Sequence, residues 1–260
     1  MNVKKEIKTL HLVPSKKMGQ NFLFDENIAK KIVSSIKCDK NNPIVEIGPG
    51  LGILTQYLTI TYDNLFLIEK DTILSDYLKI KYPNVSICNG DFLKYDFSCF
   101  NNFCIISNLP YSISKFAIRK ITDLYPTVSK SVLMLQKEVV RRLTAKPKSK
   151  EYGAITVITS LFYEIRILFN VSKSVFYPIP KVDSSVILLQ RKGQLNLSSD
   201  DYKPFVKFIY SCFNSRRKKL KNNIDFNICN DLYFKELIDK RAEELNLVEF
   251  IKLFLLFKSK

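Results

Sequence analysis

The sequence predicts an α/β protein, a doubly wound parallel sheet followed by a small all-α domain. Three observations carry that prediction. Between residues 25 and 143, short and nearly all-apolar runs alternate with stretches of helical periodicity, the pattern of parallel strands covered on both faces. The polar residues that stand out, Gly48, Glu69, Asp91 and Asn108, fall at the carboxyl ends of those runs. Open α/β sheets bind ligands at that edge. Beyond Tyr202 the apolar residues follow helical spacing alone.

Taken in order, Asp25 is the expected N-cap of a helix with Ile28, Ile32, Val33 and Ile36 on one face. Pro43 opens a short buried strand over 44–47. A glycine-rich turn leads from it into a helix through Ile53, Leu54, Tyr57 and Leu58. Residues 65–69, 85–88, 103–107 and 132–135 read as the next four strands, separated by helical patterns over 73–80 and 113–124. A helix around Val139, Val140 and Leu143 follows, then a polar loop over 146–150 and a helix over 154–162. Two further strands are expected near 165–169 and 186–189. The polar stretch 191–201 reads as a linker, which divides the chain into domains 1–192 and 193–260.

With 260 residues and 46% hydrophobic content the chain can bury a full core, which excludes wholesale disorder. Its formal net charge of +16 calls for a polyanionic partner. Nucleic acid rewards clustered Lys and Arg through counterion release. An anionic membrane surface, or a Lys-rich composition set by an AT-rich genome, is the alternative. No apolar run reaches the roughly 18 residues of a membrane span. Residues 1–17 lack a signal-peptide core and are expected to form an exposed arm. The cysteines at 38, 88, 99, 104, 212 and 229 form no C-x-x-C pair. They are expected as small apolar residues in a reducing, cytoplasmic setting, with neither a disulfide framework nor a metal site. His11 is the sole histidine and lies in the arm, which excludes His-dependent nucleophilic triads.

The glycine turn reads Glu46-x-Gly48-x-Gly50-x-Gly52, a different spacing from pyrophosphate-binding loops. A carboxylate ahead of the glycines suits an amino-acid ammonium or its water shell better than a phosphate; a ligand-free tight turn is the alternative. Glu69 is placed to chelate ribose hydroxyls, or else is a surface carboxylate beside Lys70. Asp91 can accept from an adenine amine, or cap a turn. Asn108-Leu109-Pro110-Tyr111 joins an amide, a proline and an aromatic ring at a strand end. That set suits a flat nitrogen heterocycle held by its exocyclic amine. Phe176-Tyr177-Pro178-Ile179-Pro180 is a stiff aromatic loop suited to stacking on an unpaired base, unless Phe176 is core. Lys137, Arg141, Arg142, Lys146, Lys148 and Lys150, and separately Arg216, Arg217, Lys218, Lys219 and Lys221, are expected on an RNA backbone or as solvated faces.

These motifs, in this order and at these distances, resemble the ribosomal-RNA adenine dimethyltransferase family. The resemblance runs from Lys17 to Ser184 and more weakly to the end. Gln20-Asn21-Phe22-Leu23 is similar to the family's N-terminal cofactor motif, and residues 45–52 to its cofactor loop. Residues 133–142 and 176–184 are similar to two further family segments. The resemblance implies a Rossmann-like class I methyltransferase sheet. It implies S-adenosylmethionine held by Gln20, Asn21, Leu23, Glu46, Gly48, Gly50, Glu69, Asp91, Phe92 and Asn108. It also implies that Asn108, Leu109 and Pro110 act on adenine N6, with Tyr111 and Phe176 flanking the base.

The implied activity is N6,N6-dimethylation of two adjacent adenosines in small-subunit ribosomal RNA, within a pre-ribosomal particle and by a monomer. Three positions depart from the family pattern: Ser107 replaces a usual glycine, Ser112 a common asparagine and Ile179 a proline. Asn108–Tyr111 and Arg241-Ala242-Glu243-Glu244-Leu245 look more like the small-subunit enzymes than the large-subunit ones that confer macrolide resistance. A ribosome-assembly factor that binds the cofactor without turnover is the alternative from another class. A nicotinamide-dependent dehydrogenase is disfavoured by the glycine spacing.

Overall fold

The computed structural model describes residues 3–15, 18–39, 41–224 and 232–258, so Lys17 and Cys229 lie outside the described residues. The chain forms two compact units, residues 1–140 with 164–191, and residues 141–163 with 192–260.

In chain order the first unit carries α1 (Val3–Thr9), β1 (Phe22–Leu23), α2 (Glu26–Ser35), β2 (Ile44–Ile47), α3 (Thr55–Thr61), β3 (Leu65–Glu69), α4 (Thr72–Lys81) and β4 (Ser86–Asn89). It continues with β5 (Phe103–Asn108), α5 (Ser114–Asp123), β6 (Val128–Gln136) and the start of α6 (Lys137–Leu143). After α7 (Ala154–Phe162) come β7 (Tyr163–Val171), β8 (Phe176–Tyr177) and β9 (Ser184–Arg191). Seven strands form one sheet in the order β4-β3-β2-β5-β6-β9-β7. The pairs from β4 to β6 are parallel, with Ile44 opposite both Leu65 and Cys104. The order reverses between β2 and β5, the switch point at which doubly wound sheets open a ligand crevice.

Four features differ from expectation. The sheet is mixed, because β9 runs antiparallel to β6 from Lys130↔Gln190 to Gln136↔Ser184. An apolar run carries no direction, so the sequence pattern reads the same for either orientation. The N-terminal segment is not an exposed arm: Val3, Ile7 and Leu12 are buried in a cluster with Phe22, Leu51 and Leu74. Burial of each such side chain contributes about 1.5–3 kcal/mol, enough to hold a two-turn helix that would fray alone. Tyr77 Oη donates to Glu6 Oε2 at 3.1 Å, and Lys81 Nζ donates to Tyr77 Oη and to the Leu51 carbonyl, fastening α1 behind the glycine turn.

The third difference is a disulfide. Cys38 and Cys104 are 66 residues apart in sequence, yet their Cα atoms lie 6.3 Å apart and the sulfurs are bonded. Cys88, Cys99 and Cys212 are free thiols. The fourth is the domain boundary. The second unit begins again at Lys192, one residue before the expected junction, but also takes residues 141–163.

Within that second unit, α7 joins α8 (Tyr202–Cys212), α9 (Leu232–Asp239) and α10 (Leu247–Lys258). Thr156, Val157, Ile158, Thr159, Leu161 and Phe162 are all buried, so α7 is apolar nearly all round and needs helices against it. The Tyr152 hydroxyl donates to the Leu245 carbonyl at 2.8 Å, and the Phe162 and Tyr202 rings meet edge to face at 5.5 Å. Arg216 donates to the carbonyls of Lys150 and Tyr152 and pairs with Glu243. The two basic stretches are thereby brought together, and Lys219 and Lys221 both pair with Asp239.

Candidate active site

The site begins where β2 stops. The Ile47–Gly48 peptide points its two polar groups to opposite sides, and the Gly48 N–H donates to the Ile68 carbonyl on β3 at 2.9 Å. Gly50 lies in left-handed backbone at φ +61°, and a Cβ there would come within 3.3 Å of the Phe22 ring. Any larger residue would meet both strain and crowding. The Gly50 N–H donates to Glu69 Oε2 at 3.0 Å, while Glu69 Oε1 accepts from the Asp71 N–H at 2.9 Å. Glu69 thus ties the glycine turn to the end of β3. Burial pushes its carboxyl above the usual range, against the pull of these backbone donors. Each oxygen retains a lone pair for a ligand hydroxyl.

Glu46 is buried beneath this turn and accepts a 2.7 Å hydrogen bond from the Thr55 hydroxyl. Burial pushes its pKa up to about 8; the Thr55 bond opposes the shift and the charge of Glu69 adds to it. The folded-state pKa lies above the ordinary value of 4.5, so neutral Glu46 contributes stability that is whole below pH 4.5 and is lost as pH rises through about 8. Glu46→Gln keeps a neutral acceptor for Thr55. It is expected to flatten the decline in melting temperature of the cofactor-free protein between about pH 5 and pH 8. An unchanged slope in a pH series of thermal melts would refute this assignment.

At the end of β3 and β4, Asp91 caps a turn by accepting from the Leu93 N–H and pairs with Lys70 Nζ at 2.8 Å. Its burial raises the carboxyl pKa, but Lys70 and the Leu93 amide outweigh burial and hold it below the usual range. Gln20 accepts from the Ser15 N–H and donates to Asp71 Oδ2, joining the N-terminal segment to the N-cap of α4.

Across the crevice, β5 delivers Asn108. Its Nδ2 donates to the Asn21 carbonyl at 3.4 Å, leaving Oδ1 as the side chain's acceptor. The Leu109 N–H donates to the Met134 carbonyl at 3.2 Å. The Pro110 carbonyl already accepts from the Ile113 N–H at 3.1 Å. The Leu109 carbonyl is therefore the better backbone partner for an incoming amine. The Tyr111 hydroxyl shares a 2.7 Å hydrogen bond with Ser184 Oγ, which fixes its ring. Burial raises the pKa of that phenol, so it is neutral at pH 7.

A cavity of about 500 Å³ occupies this edge, within the roughly 300–1,000 Å³ usual for small-molecule sites. Gln20, Asn21, Leu23, Glu46, Gly48, Gly50, Glu69, Asp91 and Phe92 line it, as do Asn108, Leu109, Pro110 and Tyr111. Phe176 does not. It is 1% exposed and packs in the main core, and its backbone pairs with Leu23. The expectation of a base-stacking face at Phe176 is corrected accordingly. The cavity wall also includes Ser15, Met18 and Lys70, which sequence reasoning did not single out. Lys70 had a signal in its place directly after Glu69. Among the described residues no group of His, Cys, Asp and Glu is arranged to hold a metal ion.

The donor set fits an adenosine carrying an amino-acid tail: carboxylates at two strand ends, glycine backbone between them, and apolar wall from Leu23 and Phe92. The sequence model of the ribosomal RNA adenine dimethylase family matches residues 14–258. The chain is 43% identical over 221 residues to ribosomal RNA small subunit methyltransferase A of Malacoplasma penetrans, covering 84% of this chain and 80% of that one. It is 36% identical to the protein of the same name from Chlorobium phaeobacteroides, covering 97% and 94%. The crystal structure of a dimethyladenosine transferase from Plasmodium falciparum superposes with a TM-score of 0.79 at 27% identity, over 92% of this chain and 98% of that one. The 23S rRNA methyltransferase ErmE shares the fold, with a TM-score of 0.68 at 22% identity over 92% and 100%. With glycine turn, amide-proline-tyrosine edge and matched length all in one molecule, the chain belongs to the ribosomal RNA adenine dimethylase family.

Proposed function

We propose that this protein uses S-adenosylmethionine to dimethylate N6 of adjacent adenosines in small-subunit ribosomal RNA, acting on a pre-ribosomal particle. The observation that carries the reading is the meeting of two motifs at the switch point. A Cβ on Gly48 would lie 3.6 Å from Pro110 Cδ, so the glycine turn and the Asn108–Tyr111 edge face one space. Glu69 and Asp91 would hold the ribose and adenine of the cofactor, and Glu46 and the glycine turn its amino-acid end. The cofactor supplies an electrophilic methyl group.

The chain's own part is positioning and electrostatics. Adenine N6 is a weak nucleophile because its lone pair feeds the ring. In the first transfer Asn108 Oδ1 and the Leu109 carbonyl accept its two protons, which draws the nitrogen toward tetrahedral geometry and frees that lone pair; in the second, the one remaining N–H keeps one of these acceptors. As N6 becomes positive, both acceptors stabilise the developing charge. The extra proton is then acidic enough to pass to water without a histidine. Tyr111, its ring held by Ser184, offers a face to a base taken out of its stack. Arg217 and Lys218 in the second unit are exposed for phosphate contact.

The test is tritiated methyl transfer to unmethylated small and large ribosomal subunits, with the RNA digested to nucleosides. Dimethyladenosine from the small subunit alone is expected. Label confined to the large subunit would move the protein to the other branch of the family. Cofactor binding without label on either would make it an assembly factor.

A further inference from the structure

The β2–β5 ladder stops at Glu46↔Ile106, one residue short of the crevice. The next pair along would be Ile47 and Ser107. Because the Gly48 N–H is turned toward β3, the Ile47 carbonyl on the same peptide faces β5. No backbone register closes this point, and a side chain does: Ser107 Oγ donates to the Ile47 carbonyl at 2.6 Å. Ser107 is fully buried and its backbone pairs with Leu133 of β6, so the hydroxyl projects from a fixed strand. On one side of this bond the chain continues directly into Gly48. On the other it continues directly into Asn108. Ile47, Gly48 and Asn108 line the cavity, and Ser107 lies behind that wall.

We propose that Ser107 is a positioning residue, its hydroxyl setting the separation between the glycine turn that holds the methyl donor and the Asn108 edge that holds the acceptor base. This rests on the methyltransferase reading above. The relevant chemistry is a fixed approach of two bound molecules, in which a displacement of an ångström at the reacting atoms costs on the order of 10²-fold in rate. The hydroxyl spans both strands by side chain at this height of the crevice.

The experiment compares Ser107→Ala and Ser107→Cys with the unaltered protein, using purified full-length enzyme and unmethylated small subunits well below the melting temperature. The readouts are kcat per folded molecule, KM for RNA and the dissociation constant for S-adenosylmethionine by calorimetry. The expected result is a fall in kcat of about tenfold for Ser107→Ala, with cofactor affinity changed less than threefold. Ser107→Cys, a weak donor of similar size, is expected to fall between. A merely structural serine would lower the melting temperature and leave kcat per folded molecule unchanged, which would overturn the proposal. Should Ser107→Ala not fold, Ser107→Cys decides on the same criterion. Absence of label with the unaltered enzyme would instead overturn the methyltransferase reading.

Discussion

Asn108→Ala is expected to lower kcat for methyl transfer by about 10²–10³-fold, the usual cost of removing one preorganised group aimed at developing charge. Asn108 ends β5 at the switch point, its amide nitrogen is committed to the Asn21 carbonyl, and its oxygen is the acceptor left over. Alanine removes that oxygen and leaves one of the two N6 protons unmatched, so the nitrogen lone pair stays in the ring. The backbone partner at Leu109 survives, and some activity survives with it. Cofactor affinity is expected to change only a few-fold, because the carboxylates and glycine turn are untouched. Single-turnover transfer with radiolabelled cofactor separates the two quantities. A variant within threefold of the unaltered rate would sink the proposed role.

Phe176→Ala is expected to cost about 3–5 kcal/mol of unfolding free energy, the range for deleting a large aromatic side chain from a packed core. Phe176 is 1% exposed, sits among the residues of the main core and is paired through its backbone with Leu23, itself part of the cavity wall. Urea unfolding would show the loss as a lower midpoint at unchanged slope. Phe176→Leu, which keeps much of the volume, is expected to fold and to retain kcat and KM for RNA. A base-stacking phenylalanine would show the reverse, a raised KM for RNA with stability intact.

Much of the fold was legible in the sequence because buried parallel strands leave a dense apolar signature. The runs ending at Ile47, Glu69 and Asn108 are strands in the structure, and their ends lie along one cavity. What escaped detection was short or non-local. Helix α1 shows only Val3 and Ile7 one turn apart, among Lys4, Lys5, Glu6 and Lys8, and that reads as a solvated arm. Its partners Leu51, Leu74 and Tyr77 lie far along the chain. The two-residue pairing of β1 with β8 is too brief to show a period, so nothing in sequence told that Phe176 faces inward. The Cys38–Cys104 bond spans 66 residues without a spacing motif. Individual residues were readable by type but not by every partner: Glu46 was expected at a ligand, lines the cavity and also accepts from Thr55, and Asp91 was expected at a ligand, lines the cavity and also caps a turn against Lys70.

The path of the chain between its two units has a consequence for genetic recombination. Residues 141–163 leave the first unit, serve the second and return to the first at β7, so the chain passes between units at 140/141, 163/164 and 191/192. A single crossover near residue 192 would splice foreign helices onto an α7 that evolved beside other partners. Its buried face, from Thr156 to Phe162, would then meet side chains it was never fitted to. Whatever the C-terminal unit contributes to choosing an RNA, it cannot be inherited as one continuous cassette. Chimeras that keep 141–163 and 192–260 from the same parent should be recovered folded far more often than those that divide them.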